Sequence, residues 1–386
     1  MAFTFTISNL VVARAADNIR RHSRTDHSHR EWIINGHEAT GLEDYKPPLA
    51  AVRAAEQAEH ESELQESHSV DPAIPLSVIP LTPPNPKPSK RVGVIAKELM
   101  HEIYMDDDPM SHPPGIKPDW SYGHTNFQTG VFNALLDMYV PKLRFYLEVG
   151  SFKAGSIVLA ANELKRRGQH DVSLVCIDPF TGDVNMWAWN KKDPNIHQTW
   201  KDSDPAGGVW IGVDGHDYLK MRDALPTIYP TFRANVLDKG HDDMVLPIQA
   251  SSIVGMRLIR RLKNEGRISE LPQMIYLDSA HEEHETFLEL QLAWDILQPG
   301  GILLGDDYGW SSVRNDVNKF AKMMGLPAED PKPWEEKGLR QLNPPGFEEA
   351  PPHPAVIVMN GHQWYLRKPP NSPDGWNVQL CFNNGA

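Results

Sequence analysis

The sequence predicts an α/β fold with a mainly parallel β-sheet, preceded by an N-terminal extension. From about residue 91, short apolar runs alternate with segments of helical periodicity, a pattern typical of parallel strands joined by crossover helices. Near the C-terminus, two apolar runs flank Asn360 and Gly361, a pair that favours the tight turn of an antiparallel hairpin. The predicted sheet therefore ends in an antiparallel pair.

Five short apolar runs predict the parallel strands, at residues 145–149 (FYLEV), 173–177 (SLVCI), 244–249 (MVLPIQ), 274–277 (MIYL) and 301–304 (GILL). Helices are predicted at residues 156–167, after the first strand, and at 251–265, after the third. The helix after the fourth strand places its apolar residues on one face, namely Phe287, Leu290, Trp294 and Leu297. The hairpin is predicted to pair residues 355–359 with residues 363–366.

The first ninety residues differ from the rest of the chain. Residues 50–64 predict a polar helix, and residues 71–90 are rich in proline, which removes backbone donors and favours an extended linker. We therefore place an extension at residues 1–90 and the α/β domain at 91–386. The first thirty residues contain Arg and Ser, so an organelle transit peptide is an alternative to a cytoplasmic location, although early acidic residues weaken it.

Composition excludes several classes of protein. The chain of 386 residues carries a formal net charge of −13, whereas nucleic-acid binding needs a basic surface. Hydrophobic residues make up 40%, enough for a core, but no stretch approaches the roughly 18 apolar residues of a membrane span. The two cysteines, Cys176 and Cys381, cannot form a disulfide framework and lack the spacing of a zinc site. A soluble protein of a reducing compartment is expected.

The first two predicted strands end in residues suited to a ligand, and ligands of open α/β sheets bind at the carboxyl ends of strands. Gly150 permits a tight turn, while Gly155 and Ser156 begin a helix whose amides point into the crevice. The turn lacks the second glycine of GxGxxG, which counts against NAD. Asp178, after the second strand, could accept both hydroxyls of a ribose. The alternatives are a plain strand-to-helix turn and a turn or helix-cap aspartate.

Three carboxylates follow the fourth and fifth predicted strands. Asp278 leaves the fourth strand, and Asp306 and Asp307 leave the fifth, so they are expected at one edge of the sheet. Carboxylates this close repel unless a cation neutralises them, and oxygen ligands suit Mg²⁺, with Mn²⁺ or Ca²⁺ as alternatives. His281, three residues after Asp278, could remove a proton from a hydroxyl. The alternative is that Asp306 and Asp307 cap the next helix and that His281 is a surface histidine.

Four segments together, EVGSFKAGS, IDPF, YLDSAHEEHE and LQPGGILLGDDY, resemble those of the class I S-adenosylmethionine-dependent methyltransferases. Within this class they resemble the metal-dependent O-methyltransferases, and most closely the branch of macrolide-sugar O-methyltransferases and cephalosporin-biosynthesis methyltransferases. The resemblance covers about residues 123–368 and leaves the first ninety outside. It implies a Rossmann-like, seven-stranded sheet and S-adenosylmethionine as the cofactor.

The resemblance also implies roles for particular residues. Asp278, Asp306 and Asp307 match metal ligands, and His281 matches a general base. Ser251 and the adjacent Ser252 fall where relatives contact the cofactor or order the following helix. The implied cofactor-binding residues are Glu148, Gly150, Ser151, Gly155, Ser156, Asp178, Ser251 and Asp278.

The acceptor is expected to be a small-molecule or saccharide hydroxyl. Catechol-type relatives carry a lysine at the position of His281, so the histidine favours an aliphatic hydroxyl, such as that of a sugar, over a catechol. Three alternatives stay open: a catechol-like acceptor, a hydroxylase whose carboxylate–histidine cluster holds Fe²⁺, and a non-catalytic protein that uses its N-terminal arm for assembly. Formation of a homo-oligomer is also open.

Two further segments are candidates for covering the site. Residues 183–218 form a long connection containing Trp187, Trp189 and Trp200, which predicts either a lid or aromatic packing of an insertion. The other candidates lie shortly before the first strand, at Tyr122, His124 and Gln128.

Overall fold

The computed structural model describes residues 90–121, 123, 125–183, 186–187, 215–279, 281–340, 352–360 and 362–372. The predicted extension and its linker, apart from Lys90, lie outside the described residues, as do Tyr122, His124, Cys381 and most of the connection 183–218. No helix of the described part is long and apolar enough to cross a membrane.

Seven strands form one sheet in the order β3-β2-β1-β4-β5-β7-β6. They are β1 (Phe145–Val149), β2 (Ser173–Asp178), β3 (Val245–Gln249), β4 (Met274–Leu277), β5 (Ile302–Gly305), β6 (Ile357–Met359) and β7 (Gln363–Arg367). Strands β1 to β5 are parallel to their neighbours, whereas β7 is antiparallel to both β5 and β6. The predicted fold class, with its C-terminal hairpin, is confirmed.

The described helices are α1 (Val94–Tyr104), α2 (Thr129–Tyr139), α3 (Gly155–Arg166), α4 (Gly215–Leu219), α5 (Ile228–Asp238), α6 (Ser252–Asn264), α7 (Glu285–Ile296), α8 (Ser311–Met323) and α9 (Lys332–Glu335). They cover both faces of the sheet. One apolar cluster joins α1, α6, α7 and α8 to the sheet, and a second joins α2, α3 and α5 to the opposite face. Burial on both faces explains why the parallel strands read as uninterrupted apolar runs.

The predicted element bounds agree with the structure to within two residues. Strands β1 and β4 have the predicted bounds, Asp178 extends β2 by one residue, and β5 is shifted by one residue, to Ile302–Gly305. Residues 354–355 form a turn, so β6 begins only at Ile357. Asn360 has a positive φ of 51°, as the predicted hairpin turn requires.

Strand order brings the ligand-binding ends together. From β1 the chain moves outward to β2 and β3, then crosses to β4 and β5 on the other side of β1. The order therefore reverses between β1 and β4, and ligands of open α/β sheets bind at this switch point.

Candidate active site

The turn after β1 lies directly against the end of β4. Gly150 has a φ of +87°, and a Cβ placed on it would lie 2.0 Å from the carbonyl oxygen of Asp278. Its amide donates to the carbonyl of Ile177, at 2.9 Å. A side chain would collide with backbone at this point, so only glycine permits the approach. The predicted cofactor turn and the first predicted metal ligand are thus in backbone contact.

Glu148 is buried at the end of β1 with donors around it. Its Oε1 accepts a hydrogen bond from Ser156 Oγ at 2.9 Å, and its Oε2 accepts one from the Tyr146 hydroxyl at 3.5 Å. Burial raises the pKa of Glu148 to about 7, while these two hydrogen bonds act to lower it. Ser156 thereby joins the first turn of α3 to β1, and Ser151 is buried within the same connection.

Asp178 closes the same turn from β2. Its carboxylate accepts hydrogen bonds from the backbone amides of Phe152, at 2.8 Å, and Phe180. Burial raises the pKa of Asp178, and the amides oppose that shift. A carboxylate offers about four acceptor positions, so these bonds leave capacity for ribose hydroxyls. The predicted ribose contact stays a prediction.

The segment before α2 packs over the start of α3. A Cβ on Gly155 would lie 2.8 Å from the carbonyl oxygen of Gly123 and 3.3 Å from the Thr125 side chain. Lys153 Nζ donates to the carbonyl of Ser121 at 3.2 Å, and burial lowers the pKa of this lysine to about 8. The neighbours of Tyr122 and His124 therefore contact the turn, although those two residues lie outside the described part.

Asn235 on α5 bridges this segment and the glycine turn. Its Nδ2 donates to the carbonyls of Asp119 and Lys153, each at 2.9 Å, and its Oδ1 accepts from the Asp119 amide at 2.8 Å. Gln128 accepts a hydrogen bond from Asn360, in the turn between β6 and β7, and its predicted role in covering the site stays a prediction. Three well-made bonds from one buried amide give this half of the site a defined shape.

Two serines near the site connect helices to loops. Ser251 caps α6, because its Oγ accepts from the Val254 amide at 3.4 Å. Ser279 Oγ donates to the buried carboxylate of Glu289 on α7, at 2.7 Å. Capping matches the predicted helix-ordering role of Ser251, and its contact with a cofactor stays a prediction.

A cluster of possible metal ligands stands beyond the ends of β4 and β5. Among the described residues, one ligand atom from each of Asp278, His281 and Asp307 lies within 4.8 Å of the others. Asp306 is directed elsewhere, since its Oδ2 accepts from the Tyr276 hydroxyl at 3.1 Å and its Oδ1 from the Asp307 amide at 2.8 Å. The structure therefore groups His281, rather than Asp306, with Asp278 and Asp307.

The acidic groups of this cluster perturb one another. Burial, and then the charges of Asp306 and Asp307, raise the pKa of Asp278 well above its usual value. Burial, and then Asp307, raise the pKa of Asp306 to about 7. Burial acts to lower the pKa of His281, but the carboxylates of Asp307 and Asp183 outweigh it and raise that pKa well above the usual range. Burial and the neighbouring carboxylates thus oppose ionisation of Asp278 and Asp306, while the same carboxylates favour the charged form of His281.

The helix-cap alternative for these carboxylates is wrong. Helix α8 starts at Ser311 and receives no side-chain cap, so neither Asp306 nor Asp307 caps it. The side chain of His281 is only 21% exposed, and its Nε2 lies 2.7 Å from Asp307 Oδ2, so it is not a free surface histidine.

Two neighbours of His281 were not predicted from the sequence. Asp183 Oδ2 lies 3.6 Å from His281 Nδ1, and the Trp310 ring packs on the imidazole with centroids 5.2 Å apart. The available signal for Asp183 was its position a few residues after the carboxyl end of β2. No sequence pattern indicated that its side chain reaches a residue that follows β4.

A family model described as a methyltransferase domain matches residues 147–308. Similar solved structures include a calicheamicin methyltransferase, at 17% identity over 62% of this chain and 76% of that chain with a TM-score of 0.35. The O-methyltransferase TomG from Streptomyces achromogenes, in complex with S-adenosylmethionine, matches at 12% identity over 71% and 89%, with a TM-score of 0.34. The O-methyltransferase NovP matches at 11% identity over 62% and 76%, with a TM-score of 0.36. Among curated proteins, no sequence matches this chain.

The domain match runs from within β1 to the exit of β5, which is the part of the sheet that carries the glycine turn and the acidic cluster. The order of the strands, with β7 inserted antiparallel beside β5, agrees with the fold that the sequence motifs imply. Residues 147–308, which carry the glycine turn and the acidic cluster, therefore match a methyltransferase domain.

Proposed function

We propose that this protein is a divalent-metal-dependent O-methyltransferase, which transfers a methyl group from S-adenosylmethionine to a hydroxyl of a sugar or glycosylated small molecule. The observation that carries the proposal is the contact between Gly150 and Asp278. It puts the cofactor turn beside the cluster of Asp278, His281 and Asp307, whose ligand atoms lie within 4.8 Å of one another. A methyl donor and a hydroxyl held by that cluster would therefore be neighbours, and such positioning supplies much of the rate.

The cofactor half of the site consists of the residues at the ends of β1 and β2. Their side chains are already held by hydrogen bonds, so cofactor binding there needs no rearrangement. The amides at the start of α3 point toward the turn, where they suit the cofactor's carboxylate. Asp178 is held at the end of β2 by the amides of Phe152 and Phe180, so its remaining acceptor positions are oriented for ribose hydroxyls. The sulfonium carries its own activation, so the protein needs to bind, orient and exclude water.

The donor set of the cluster fits a hard divalent cation. Carboxylate oxygens suit Mg²⁺, Mn²⁺ or Ca²⁺. Burial, and then the charges of the neighbouring carboxylates, raise the pKa values of Asp278 and Asp306, and a bound cation would oppose both effects. Asp278 and Asp307 would hold the ion, with Asp306 directly behind them. A divalent cation bound there would supply Lewis-acid chemistry, lowering the pKa of an acceptor hydroxyl.

His281 is the proposed general base. Its Nε2 faces the cluster and lies 2.7 Å from Asp307, so this nitrogen can take the acceptor's proton once Asp307 no longer occupies it. The Trp310 ring beside the imidazole offers an apolar face of the kind that packs against a sugar ring.

The experiment measures methyl transfer from labelled S-adenosylmethionine to a panel of mono- and oligosaccharides, beside binding of S-adenosylhomocysteine by calorimetry. Excess chelator and Asp278→Ala are each expected to lower turnover at least about 1,000-fold, because the hydroxyl loses its activation. His281→Ala is expected to lower turnover by about 100-fold or more while the product still binds.

Full activity in excess chelator would refute the metal requirement. Failure to bind either form of the cofactor would remove the methyltransferase function altogether. Methylation of a catechol in place of every saccharide would change the acceptor class, and incorporation of labelled oxygen without a methyl group would favour the hydroxylase alternative.

A further inference from the structure

We infer that Asp183 is a positioning residue for His281, holding the imidazole through Nδ1 so that Nε2 faces the acceptor. The inference rests on the proposed function, in which His281 is the base. The ring lies between two carboxylates, with Asp307 Oδ2 at 2.7 Å from Nε2 and Asp183 Oδ2 at 3.6 Å from Nδ1. All three side chains are about four-fifths shielded from solvent, at 21%, 19% and 22% exposure for His281, Asp307 and Asp183.

Contacts outside the cluster hold the backbone at Asp183. Gly182 precedes Asp183 with a φ of +80°, and a Cβ on Gly182 would lie 2.5 Å from the side chain of Leu219, which is buried. The Asp183 carbonyl accepts a hydrogen bond from the Met186 amide at 3.0 Å. These contacts hold the loop after β2 against α4, so Asp183 is supported from outside the cluster that it approaches.

Contacts that do not involve Asp183 hold the backbone and the ring of His281. Its carbonyl accepts a hydrogen bond from Ser312 Oγ, and Trp310 packs against its ring. Two residues earlier, Ser279 is bonded to Glu289 at 2.7 Å. Backbone and ring plane are therefore placed without Asp183, which leaves the choice of the nitrogen that carries the proton as its particular contribution.

A carboxylate faces each nitrogen of the ring, with Asp307 2.7 Å from Nε2 and Asp183 3.6 Å from Nδ1. A cation bound by Asp307 would draw that carboxylate away from Nε2 and leave Asp183 as the carboxylate beside the ring. A single carboxylate favours the proton on the nitrogen that it faces and leaves a lone pair on the other. With the proton on Nδ1, facing Asp183, the neutral ring presents Nε2 toward the cluster. The acceptor's proton then passes to Nε2, and Asp183 stays ionised and stabilises the imidazolium that forms. Because Asp183 follows Asp178 on the loop after β2, it also ties the orientation of the base to the cofactor half of the site.

The kinetic test compares Asp183→Asn and Asp183→Glu with wild type. Asp183→Asn keeps the size of the side chain but loses its charge, and it is expected to lower kcat by about 10- to 100-fold while KM for S-adenosylmethionine stays within about twofold. Asp183→Glu should recover part of the loss. The matched control is Asp171→Asn, which makes the same change at an exposed aspartate near the amino end of β2, away from the site, and should leave kcat unchanged.

A second readout does not depend on turnover. In the full-length protein saturated with S-adenosylhomocysteine and Mg²⁺, ¹⁵N NMR of the His281 side chain should show a slowly exchanging proton on Nδ1 in wild type and in Asp171→Asn, and lose it in Asp183→Asn. The spectrum of a His281→Gln variant identifies the resonance.

Each outcome decides between the two proposals. If wild type transfers no methyl group to any acceptor, the proposed function fails and the NMR signal alone decides whether Asp183 holds Nδ1. If Asp183→Asn retains kcat within about twofold, or leaves the Nδ1 proton unchanged, the inference is overturned. A parallel loss of product affinity in Asp183→Asn would also overturn it, since that would indicate a merely structural role.

Discussion

The two halves of the sheet's carboxyl edge bury carboxylates in opposite ways. At β1 and β2, Glu148 and Asp178 each accept hydrogen bonds from nearby hydroxyls or amides. At β4 and β5, Asp278, Asp306 and Asp307 lie close together, and burial, followed by the charges of neighbouring carboxylates, raises the pKa values of the first two. The first half has its shape before any ligand arrives, whereas the second holds electrostatic repulsion that a bound cation would relieve.

The largest effect is expected where the two halves touch. Gly150→Ala would place a methyl group 2.0 Å from the Asp278 carbonyl oxygen at a φ of +87°, so backbone on one side must move. We expect a loss of about 3 kcal/mol or more in the free energy of unfolding, measured by urea denaturation, and loss of product binding by calorimetry.

Gly168→Ala is the matched control for that substitution. Gly168 also has a positive φ, of +74°, but a Cβ there would meet nothing within 4 Å. It should cost only about 1 kcal/mol, the price of the backbone conformation alone. Equal losses for the two substitutions would show that the contact between the halves contributes nothing.

An intermediate effect is expected in the pH dependence of stability. Asp306 and Glu148 both have pKa values raised to about 7, so between about pH 4 and 7 the folded state binds more protons than the unfolded state. Their contribution is present below the unfolded pKa and is lost as the pH rises toward 7. We expect each group to account for a fall in unfolding free energy of the order of 2 kcal/mol, measured in chelator.

Magnesium separates the two contributions. Asp306→Asn and Glu148→Gln should each flatten the slope of stability against pH in chelator. Saturating Mg²⁺ should reduce only the part of the pH dependence that Asp306→Asn removes. Glu148 lies outside the proposed metal site, and its partners are the hydroxyls of Ser156 and Tyr146. A slope unaffected by Mg²⁺ would contradict the difference between the halves.

The smallest effect is expected at Gln363, a buried amide beside the acidic cluster. Continuing the pairing of Gly305 with Trp364 by one residue sets Gln363 opposite Asp306, and neither amide atom of Gln363 has a hydrogen-bond partner among the described residues. Gln363→Leu should leave the free energy of unfolding unchanged or raise it by about 1 kcal/mol, because it removes an unsatisfied polar group.

Asn235→Leu is the comparison in the cofactor half. Asn235 makes three hydrogen bonds between 2.8 and 2.9 Å, so its replacement should cost about 2 kcal/mol or more. Thermal and urea unfolding of the two variants measure both effects. A cost at Gln363 as large as that at Asn235 would indicate that the Gln363 amide is satisfied in solution.

Much of the fold could be predicted because the strands and turns depend on local sequence. The apolar runs of β1 and β4 predicted their observed bounds, since a buried parallel strand needs no residue outside itself to show its pattern. Gly150 could be predicted as a tight turn. The identity of the atom that forbids a side chain there, the carbonyl oxygen of Asp278, depends on the pairing of β1 with β4.

The arrangement within the acidic cluster was less predictable. Adjacent Asp306 and Asp307 have similar surroundings in the sequence, yet Tyr276 and the Asp307 amide take up the oxygens of Asp306, while Asp307 turns toward His281. Neighbouring residues at a strand end point in different directions, and side-chain partners on other strands decide which one meets the ligand.

By itself, the sequence determined the α/β class, the positions of the strands, the residue types at their carboxyl ends and the class of chemistry these suggest, because each of these depends on short-range pattern. Only the tertiary structure decided that Asp183 reaches His281, that Asp306 stands behind Asp307, and that the cofactor turn touches the cluster. Those contacts join residues that are distant along the chain, and the order of the strands, which no local pattern encodes, is what brings them together.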